Sequence, residues 1–199
     1  MKLTVKPLTP GNWPDLEKVF NARGCAVARG CWCMYYRRSG ASPGPTAGMT
    51  RAARNRADLA ALARADTPPG LVGYRDRTPI GWISLGPRQD YAKLARSPVM
   101  KPVDDARVWS IICFVVPSAY RGQGVARALL AAAVAWARKR GVTLLEAYPV
   151  DREGRAHDDT MWFGAKSMFD DAGFAEVARR KSHRPVVRLR LQRSAGAEP

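Results

Sequence analysis

Residues 119–130, AYRGQGVARALL, place an arginine and two glycines between an apolar run and an alanine-rich segment. Glycine lets the backbone approach a ligand closely and adopt angles that other residues avoid. The first turn of a helix also carries unpaired N–H groups and the positive end of the helix dipole. A glycine-rich turn that leads into a helix is therefore typical of an anion site, with phosphate as the usual anion. RGQGVA lacks the lysine of a nucleoside-triphosphatase loop and the third glycine of a dinucleotide loop, so a simple tight connection stays an alternative.

A second stretch rich in reactive side chains is GCAVARGCWCMYYRR, residues 24–38. Its three thiols are Cys25, Cys31 and Cys33. The last two are too close in sequence for the usual ligand spacing of a zinc site, and both histidines of the chain are remote, so we predict no metal. Neighbouring arginines can lower the pKa of a thiol, which leaves a reactive or redox-active cysteine as an alternative.

The patterns around the glycine turn predict a mixed α/β chain. The apolar run before the turn, within residues 107–116, is typical of a buried central strand, and the helix after the turn is predicted to run to about Arg140. Other strands are predicted at 3–8, in a hairpin at 71–86, at 142–150, and in a terminal hairpin at 174–180 and 184–192. Further helices are predicted around Leu16, after Thr50 and before Gly173, with residues 24–48 irregular.

The composition, 199 residues of which 46% are hydrophobic and 25% charged, is typical of one soluble domain. We predict a single domain at 1–193 and a disordered tail at 194–199. No run approaches the roughly 18 apolar residues of a membrane span, and the start lacks an apolar signal region, which predicts a cytoplasmic protein that does not bind membranes.

The net charge of +16 suits nucleic acid or a polyanionic cofactor. The basic stretch at 177–193 lacks the aromatic residues of a nucleic-acid platform, so nucleic acid is not predicted as a partner. Arg188 and Arg190 of this stretch are predicted to lie on a solvated strand face.

The glycine turn and its flanks resemble the GNAT superfamily of N-acetyltransferases. The phosphate-binding signature of that superfamily is Arg or Gln, two residues, Gly, one residue, then Gly or Ala. Three residues fill it here: Arg121, Gly124 and Ala126. Pro117 and Tyr120 precede it as in many members, and AGF at 172–174 matches the family's helix-to-strand ending. The likeness covers most of residues 71–193.

This resemblance implies the GNAT fold, a mixed sheet of six or seven strands with a central splay, flanked by about four helices. It also implies acetyl-CoA as co-substrate. Backbone amides of the turn would hold the pyrophosphate, and the exposed edge of the preceding strand would hydrogen-bond the pantetheine arm. The implied cofactor-binding residues are Phe114, Val115, Val116, Arg121, Gly122, Gln123, Gly124, Val125, Ala126 and, as an apolar wall beside the sulfur, Phe169.

The chain departs from the family pattern in its last helix. Aligned on AGF, Trp162 replaces the asparagine that contacts the cofactor arm, and Phe169 replaces the tyrosine that protonates the departing thiolate. Tyr148, at the end of the neighbouring strand, is the best substitute acid, and Ser167 is a weaker one. Glu146 is the best candidate base for an amine, although a carboxylate on such a strand is as often structural. Acyl-CoA binding without turnover is the alternative to catalysis.

Two segments are predicted near the acceptor. The family places the segment between its first two helices over the acceptor, so residues 24–38 either line that pocket or pack as an ordinary loop. A loop carries four carboxylates that would attract a cationic amine or stay solvated: Asp151, Glu153, Asp158 and Asp159. We expect acetyl transfer to a primary amine of a small molecule, a metabolite or an antibiotic-like compound, by a monomer or a homodimer. A protein or RNA-associated acceptor is the alternative.

Overall fold

The computed structural model describes residues 3–39, 48–152 and 161–192. The strands of its sheet are β1 (Thr4–Pro7), β2 (Gly70–Arg75), β3 (Thr78–Pro87), β4 (Trp109–Val115), β5 (Leu144–Ala147), β6 (Ala175–Lys181) and β7 (Arg184–Arg190). The α-helices of the described residues are α1 (Trp13–Asn21), α2 (Ala26–Cys31), α3 (Arg51–Leu62), α4 (Ala92–Ala95), α5 (Val125–Lys139) and α6 (Lys166–Asp170). This architecture confirms the predicted mixed α/β fold with a seven-stranded sheet.

The sheet has the strand order β1-β2-β3-β4-β5-β7-β6. Every neighbouring pair is antiparallel except β4 and β5, which are parallel and are joined by the glycine turn and α5. β4 pairs with β5 only over Trp109–Ile111, and β4 continues to Val115 beyond the last of these pairs. The sheet therefore opens between β4 and β5, which is the predicted central splay.

Glycines on β2 and β3 let α5 approach the sheet closely. A Cβ on Gly73 would lie 2.6 Å from a methyl group of Leu129, and one on Gly81 would lie 2.9 Å from another. Leu129 is fully buried, as the apolar periodicity of this helix predicts. Because these contacts fix α5 against the sheet, they also fix its N-terminus beside the end of β4.

The sequence patterns predict neither α2 nor α4. α2 lies inside the segment expected to be irregular, and a tertiary contact holds it: Asn55 Nδ2 of α3 donates to the Gly30 carbonyl at 3.0 Å. The predicted start of α3 is confirmed, since Thr50 Oγ1 accepts from the Ala53 amide at 3.2 Å. None of the helices in the three described ranges is long and apolar enough to cross a membrane.

Candidate active site

The opening between β4 and β5 leads into a cleft of about 750 Å³. This volume lies within the range of about 300–1,000 Å³ that ligand pockets usually have. Its walls come from β4, the glycine turn, the segment from α2 to Tyr36, and the residues just before α6. Eight of the ten predicted cofactor-binding residues line it: Phe114, Val115, Val116, Arg121, Gly122, Gly124, Val125 and Ala126.

The glycine turn forms one end of this cleft. Gly122 has φ +71° and Gly124 has φ +75°, and a Cβ on either would meet no atom within 4 Å. Glycine is therefore required here because the backbone is left-handed. The close approach of a ligand to this turn stays a prediction. The first intrahelical bond of α5 runs from the Ala128 amide to the Gly124 carbonyl at 3.0 Å, so the amides of residues 125–127 have no partner within the helix.

The Arg121 side chain fixes the glycine turn to its surroundings. Its Nε donates to the Val116 carbonyl at 3.0 Å, and its Nη2 donates to the Gly24 carbonyl at 2.5 Å. These bonds join the turn to the end of β4 and to the residues before α2. The guanidinium is thus part of the frame of the cleft, and the backbone amides are the groups left to face an anion.

Two residues that line this end of the cleft were not assigned from the sequence. Tyr120 lies just before Arg121, and Arg127 lies in the first turn of α5, paired with Asp171. A cation in the first turn after a glycine-rich connection is a signal that could have indicated Arg127, because it would add charge beside a bound phosphate.

The open part of β4 already has one partner. The Phe114 amide donates to the Trp162 carbonyl at 2.7 Å, so this backbone donor is engaged by the residue that replaces the family's asparagine. The pantetheine arm would therefore bond to other backbone groups of this strand edge, or it would replace the Trp162 carbonyl as the partner of the Phe114 amide.

The two predicted cofactor residues that lie outside the described cleft lining are Gln123 and Phe169. Gln123 points along the surface, where its Nε2 donates to the Ala119 carbonyl at 2.8 Å. Phe169 is 0% exposed and packs edge-on against Phe114, with ring centroids 6.2 Å apart. Its ring therefore supports the cleft indirectly, through its contact with Phe114, which lines the cleft.

The predicted acid and base lie together in the protein interior. Tyr148 Oη donates to Glu146 Oε1 at 2.6 Å, and the Ser110 hydroxyl lies 3.1 Å from the same phenol oxygen. Tyr148 is 1% exposed and Glu146 is 0% exposed, and neither is among the described residues that line the cleft. Burial and the charge of Glu146 raise the pKa of the Tyr148 hydroxyl. The catalytic roles of both residues stay predictions, and this geometry does not bring them to the predicted cofactor residues.

Two arginines compensate the buried Glu146 carboxylate. Arg188 Nε donates to Glu146 Oε2 at 2.8 Å, and Arg88 Nη1 lies 3.3 Å from Oε1. The prediction of a solvated face is wrong for Arg188, whose side chain is 10% exposed, because its strand position lies directly beside Glu146 in the pairing of β5 with β7. Arg190 is exposed, as predicted.

The segment at residues 24–38 both lines the cleft and packs in the core. Seven of its side chains line the cleft: Cys25, Val27, Ala28, Cys31, Cys33, Tyr35 and Tyr36. Trp32 and Met34 are buried in an apolar cluster instead, where Trp32 stacks on Phe20 at 4.9 Å between ring centroids. Both predicted alternatives for this segment are therefore realised, and Cys25 and Cys33 belong to both sets, since they line the cleft and are buried in the same cluster.

Cys113 also lines the cleft, from the open part of β4. Its apolar neighbours in sequence indicate only a core strand, so no sequence signal singled it out. In the described parts of the chain, no group of three or more His, Cys, Asp or Glu side chains is arranged to hold a metal ion.

The predicted acidic loop falls mostly outside the described residues, as do its members Glu153, Asp158 and Asp159. Asp151 is described, and its Oδ2 accepts from Arg179 Nη2 at 2.7 Å. This carboxylate is thus paired with a strand residue of β6.

Comparison with solved structures finds the same fold over nearly the whole chain. An acetyltransferase from Thermus thermophilus is 17% identical, with 96% of this chain and 98% of that chain covered and a TM-score of 0.53. PaiA N-acetyltransferase from Thermoplasma acidophilum, in complex with coenzyme A, is 15% identical, with 96% and 99% covered and a TM-score of 0.51. YncA from Salmonella typhimurium, with its cofactor acetyl-CoA, is 15% identical, with 98% of each chain covered and a TM-score of 0.53.

Sequence comparison gives the family. A search of curated proteins finds no match. The model of the acetyltransferase (GNAT) family matches residues 32–158, more than half of the chain. The matched region holds the glycine turn, α5 and the two strands that open into the cleft. The chain therefore belongs to the acetyltransferase (GNAT) family.

Proposed function

We propose that this acyltransferase binds acetyl-CoA in the cleft and transfers the acetyl group to the primary amine of a small molecule. One observation carries the proposal: the glycine turn and the open part of β4 line a single continuous cleft. A pyrophosphate bound at the amides of residues 122–126 would lie at one end of it, since the Arg121 amide already donates to the Ser118 carbonyl at 3.3 Å. The pantetheine arm would then run along Phe114, Val115 and Val116, which brings the thioester to the splay.

Coenzyme A chemistry is supported by the relatives as well as by the lining. PaiA N-acetyltransferase was solved with coenzyme A and YncA with acetyl-CoA, and both share the fold of this chain. The first turn of α5 supplies the amides of residues 125–127, which have no partner within the helix, and the positive end of a 15-residue helix. Arg127 lies in the same turn and would have to exchange Asp171 for a bound phosphate to add its charge there. Acetyl-CoA acts here as a co-substrate, which is consumed and replaced in each turnover.

The far wall of the cleft suits an acceptor with an apolar body. Tyr35, Tyr36, Met161 and Trp162 line it, and no Asp or Glu lies among the lining residues that the structure describes. Aromatic and thioether side chains bind apolar surfaces well, but they do not select for several positive charges. We therefore propose a metabolite or antibiotic-like primary amine of low charge as the acceptor.

In this proposal, proton transfer in the cleft does not depend on the buried residues Tyr148 and Glu146. For Tyr148 to protonate the thiolate and Glu146 to deprotonate the amine, both side chains would have to reach the cleft, and here they bind each other instead. We propose that orientation of the two substrates and polarisation of the carbonyl by backbone amides carry most of the rate. The thiolate would take its proton from a cleft thiol or from water.

The test is a panel of acceptors incubated with acetyl-CoA and read by mass spectrometry for free coenzyme A and acetylated product. The panel contains small aromatic primary amines, linear polyamines, a lysine-containing peptide and RNA. We expect product from the small apolar amines at a higher kcat/KM than from polyamines or the peptide. Acetyl-CoA binding without product from any acceptor would replace this proposal with a non-catalytic sensor. A preference for the peptide or RNA would replace the small-molecule acceptor.

A further inference from the structure

The splay between β4 and β5 is bridged by residues that lie just before α6. β4 pairs with β3 through Val115 but with β5 only through Ile111, so the last residues of β4 have no strand partner on the β5 side among the described residues. There the Phe114 amide donates to the Trp162 carbonyl at 2.7 Å. Met161 and Trp162 line the cleft together with this part of β4. The strand edge that the proposed function assigns to the pantetheine arm is therefore engaged by a backbone carbonyl of the chain itself.

This hydrogen bond satisfies a donor that would otherwise lack an acceptor. Phe114 is buried, and a buried amide without a partner costs about as much free energy as a lost hydrogen bond. In a continuous sheet β5 would supply the acceptor, but β5 ends at Ala147. The Trp162 carbonyl supplies it instead, which favours this arrangement as long as the cleft holds no ligand that offers a carbonyl.

The bridging residues are bound more strongly on the β5 side than on the β4 side. The Val150 amide donates to the Gly164 carbonyl at 2.9 Å, and the Lys166 amide donates to the Val150 carbonyl at 2.9 Å. On the other side, the bond from Phe114 to Trp162 is the one backbone hydrogen bond between residues 161–165 and β4 in the described part of the chain. The contact with β4 can therefore break while the contact with Val150 stays.

The side chains show the same division. Phe163 is buried, and its ring packs edge-on against Tyr36 with 5.6 Å between ring centroids. The guanidinium of Arg184 lies 4.5 Å from the centre of the same ring. Met161 and Trp162, by contrast, are half-buried and line the cleft. These two residues, which have a single backbone bond to β4, are called the gate below.

We propose that the gate closes the cleft of the free protein, and that the pantetheine arm of acyl-CoA opens it by replacing the Trp162 carbonyl as the partner of the Phe114 amide. This inference rests on the proposed function, since acyl-CoA must enter the cleft. Pantetheine contains two amide groups, so it offers a carbonyl oxygen of the same kind as the one that it replaces. Because one amide–carbonyl bond is exchanged for another, the exchange itself costs little. The phosphates at the start of α5 supply the free energy of binding.

The gate also affects the acceptor. Met161 and Trp162 belong to the proposed acceptor wall together with Tyr35 and Tyr36. When the Trp162 carbonyl leaves Phe114, the two gate residues move, whereas Tyr36 stays packed against the buried ring of the next residue. The shape of the acceptor wall therefore depends on whether acyl-CoA is bound. At the position where the family's asparagine contacts the cofactor arm, this chain competes with the arm through a backbone carbonyl.

The test is nuclear magnetic resonance of the full chain labelled with ¹³C at tryptophan carbonyls and ¹⁵N at phenylalanine amides. Trp162 is the one tryptophan that a phenylalanine follows, so its carbonyl is identified by its coupling to the Phe163 nitrogen. In the free protein we expect a second, weak coupling across the hydrogen bond to the Phe114 nitrogen. Saturating acetyl-CoA should abolish this second coupling. The Phe114 amide proton should still exchange slowly with water, because the arm has become its partner.

Two controls test whether the arm causes the opening and whether only the gate moves. Adenosine diphosphate carries the pyrophosphate without the arm, and at concentrations that compete with acetyl-CoA it should leave the coupling between Phe114 and Trp162 intact. The bond from Val150 to Gly164 is the matched control within the chain. Observed with ¹⁵N at valine amides and ¹³C at glycine carbonyls, it should persist in the acetyl-CoA complex.

The outcomes separate this inference from the proposed function. Absence of the second coupling in the free protein, or its persistence in the acetyl-CoA complex, would overturn the gate and leave acetyl-CoA binding, measured by titration calorimetry, in place. Loss of the coupling with adenosine diphosphate would overturn the role of the arm, and rapid exchange of the Phe114 amide in the complex would overturn the change of partner. Loss of the bond from Val150 to Gly164 would overturn a gate limited to Met161 and Trp162. Absence of acetyl-CoA binding would overturn both proposals.

Discussion

At the scale of single residues, the described part of the chain keeps one carboxylate in its interior and surrounds it with donors. Glu146 accepts from Tyr148 and Arg188 and lies beside Arg88. A buried charge is tolerated only where such partners replace its water, and removal of one partner leaves it poorly compensated. The three partners come from the residue after β5, from β7 and from the residue after β3, so the cluster ties the sheet together below the splay.

Tyr148→Phe tests whether that cluster is structural. The variant removes one donor to Glu146 and leaves both arginines, so we expect the free energy of unfolding to fall by about 1–3 kcal/mol. We expect kcat for acetyl transfer to change by less than about tenfold, because the phenol does not line the cleft. Denaturant unfolding and steady-state kinetics measure the two quantities. Unchanged stability with a fall in kcat of about 10²–10⁴-fold would restore Tyr148 as the general acid.

The location of Glu146 and Tyr148 could be predicted only in part from the sequence. Glu146 and Tyr148 are two residues apart within the strand predicted at 142–150, so their shared face is predictable. Whether that face opens to the cleft depends on Arg88 and Arg188, which are far away in sequence and carry no pattern that links them to Glu146. The glycine turn is different, because its backbone requirement is local and is visible in the residue types themselves.

At the scale of elements, the terminal hairpin β6–β7 holds the long connection between β3 and β4. Arg180 of β6 donates to the carbonyls of Val99 and Lys101 at 3.1 Å and 2.7 Å. Arg188 of β7 donates to both carboxylate oxygens of Asp104, at 2.7 Å and 2.9 Å. The sequence indicates a basic, alternating strand, but its partners lie in a connection without periodicity, so these contacts could not be predicted.

Asp104→Asn tests this contact through its pH dependence. Hydrogen bonds from Arg188 lower the pKa of Asp104 to about 2, whereas the unfolded value is about 4. A depressed folded pKa contributes stability above the unfolded pKa, and that contribution is lost as the pH falls through the folded pKa. We expect the wild-type chain to be more stable than the variant near neutral pH, and the difference to shrink below the unfolded pKa and vanish below about pH 2. Denaturant unfolding across this pH range measures it, and a difference independent of pH would contradict the ion pair.

At the scale of the whole molecule, the site is a consequence of strand order. A parallel pair in the centre of a mostly antiparallel sheet requires a crossover, and here the crossover begins with the glycine turn. The turn, the N-terminus of α5 and the splay therefore meet at one place. This much follows from the motif and from the order of predicted elements. The acceptor wall does not follow from the sequence, because the residues of the 31–36 stretch divide between the cleft and the core without a regular period.

The net charge of +16 acts on the molecule as a whole. A strongly cationic protein attracts a polyanion such as coenzyme A over distances of about the Debye length, roughly 10 Å at 0.1 M salt. Such attraction raises the rate of association, and it does not by itself select a binding site. We propose that the selection comes from the backbone amides at the start of α5.

The most direct test of the central claim is titration calorimetry of acetyl-CoA against the wild-type chain, Gly124→Ala and Gly141→Ala. The two glycines have φ of +75° and +72°, and at both a Cβ would meet nothing within 4 Å, so the substitutions strain the backbone alike. Gly124 begins α5 at the cleft, whereas Gly141 follows its other end. In the free Gly124→Ala variant we expect the turn to relax and relieve a strain of about 1–2 kcal/mol. Binding would have to restore the left-handed backbone, which weakens it by about tenfold. We predict binding of one acetyl-CoA by the wild-type chain, about tenfold weaker in Gly124→Ala and unchanged in Gly141→Ala. Absence of wild-type binding at millimolar ligand, or equal weakening in both variants, would contradict the account.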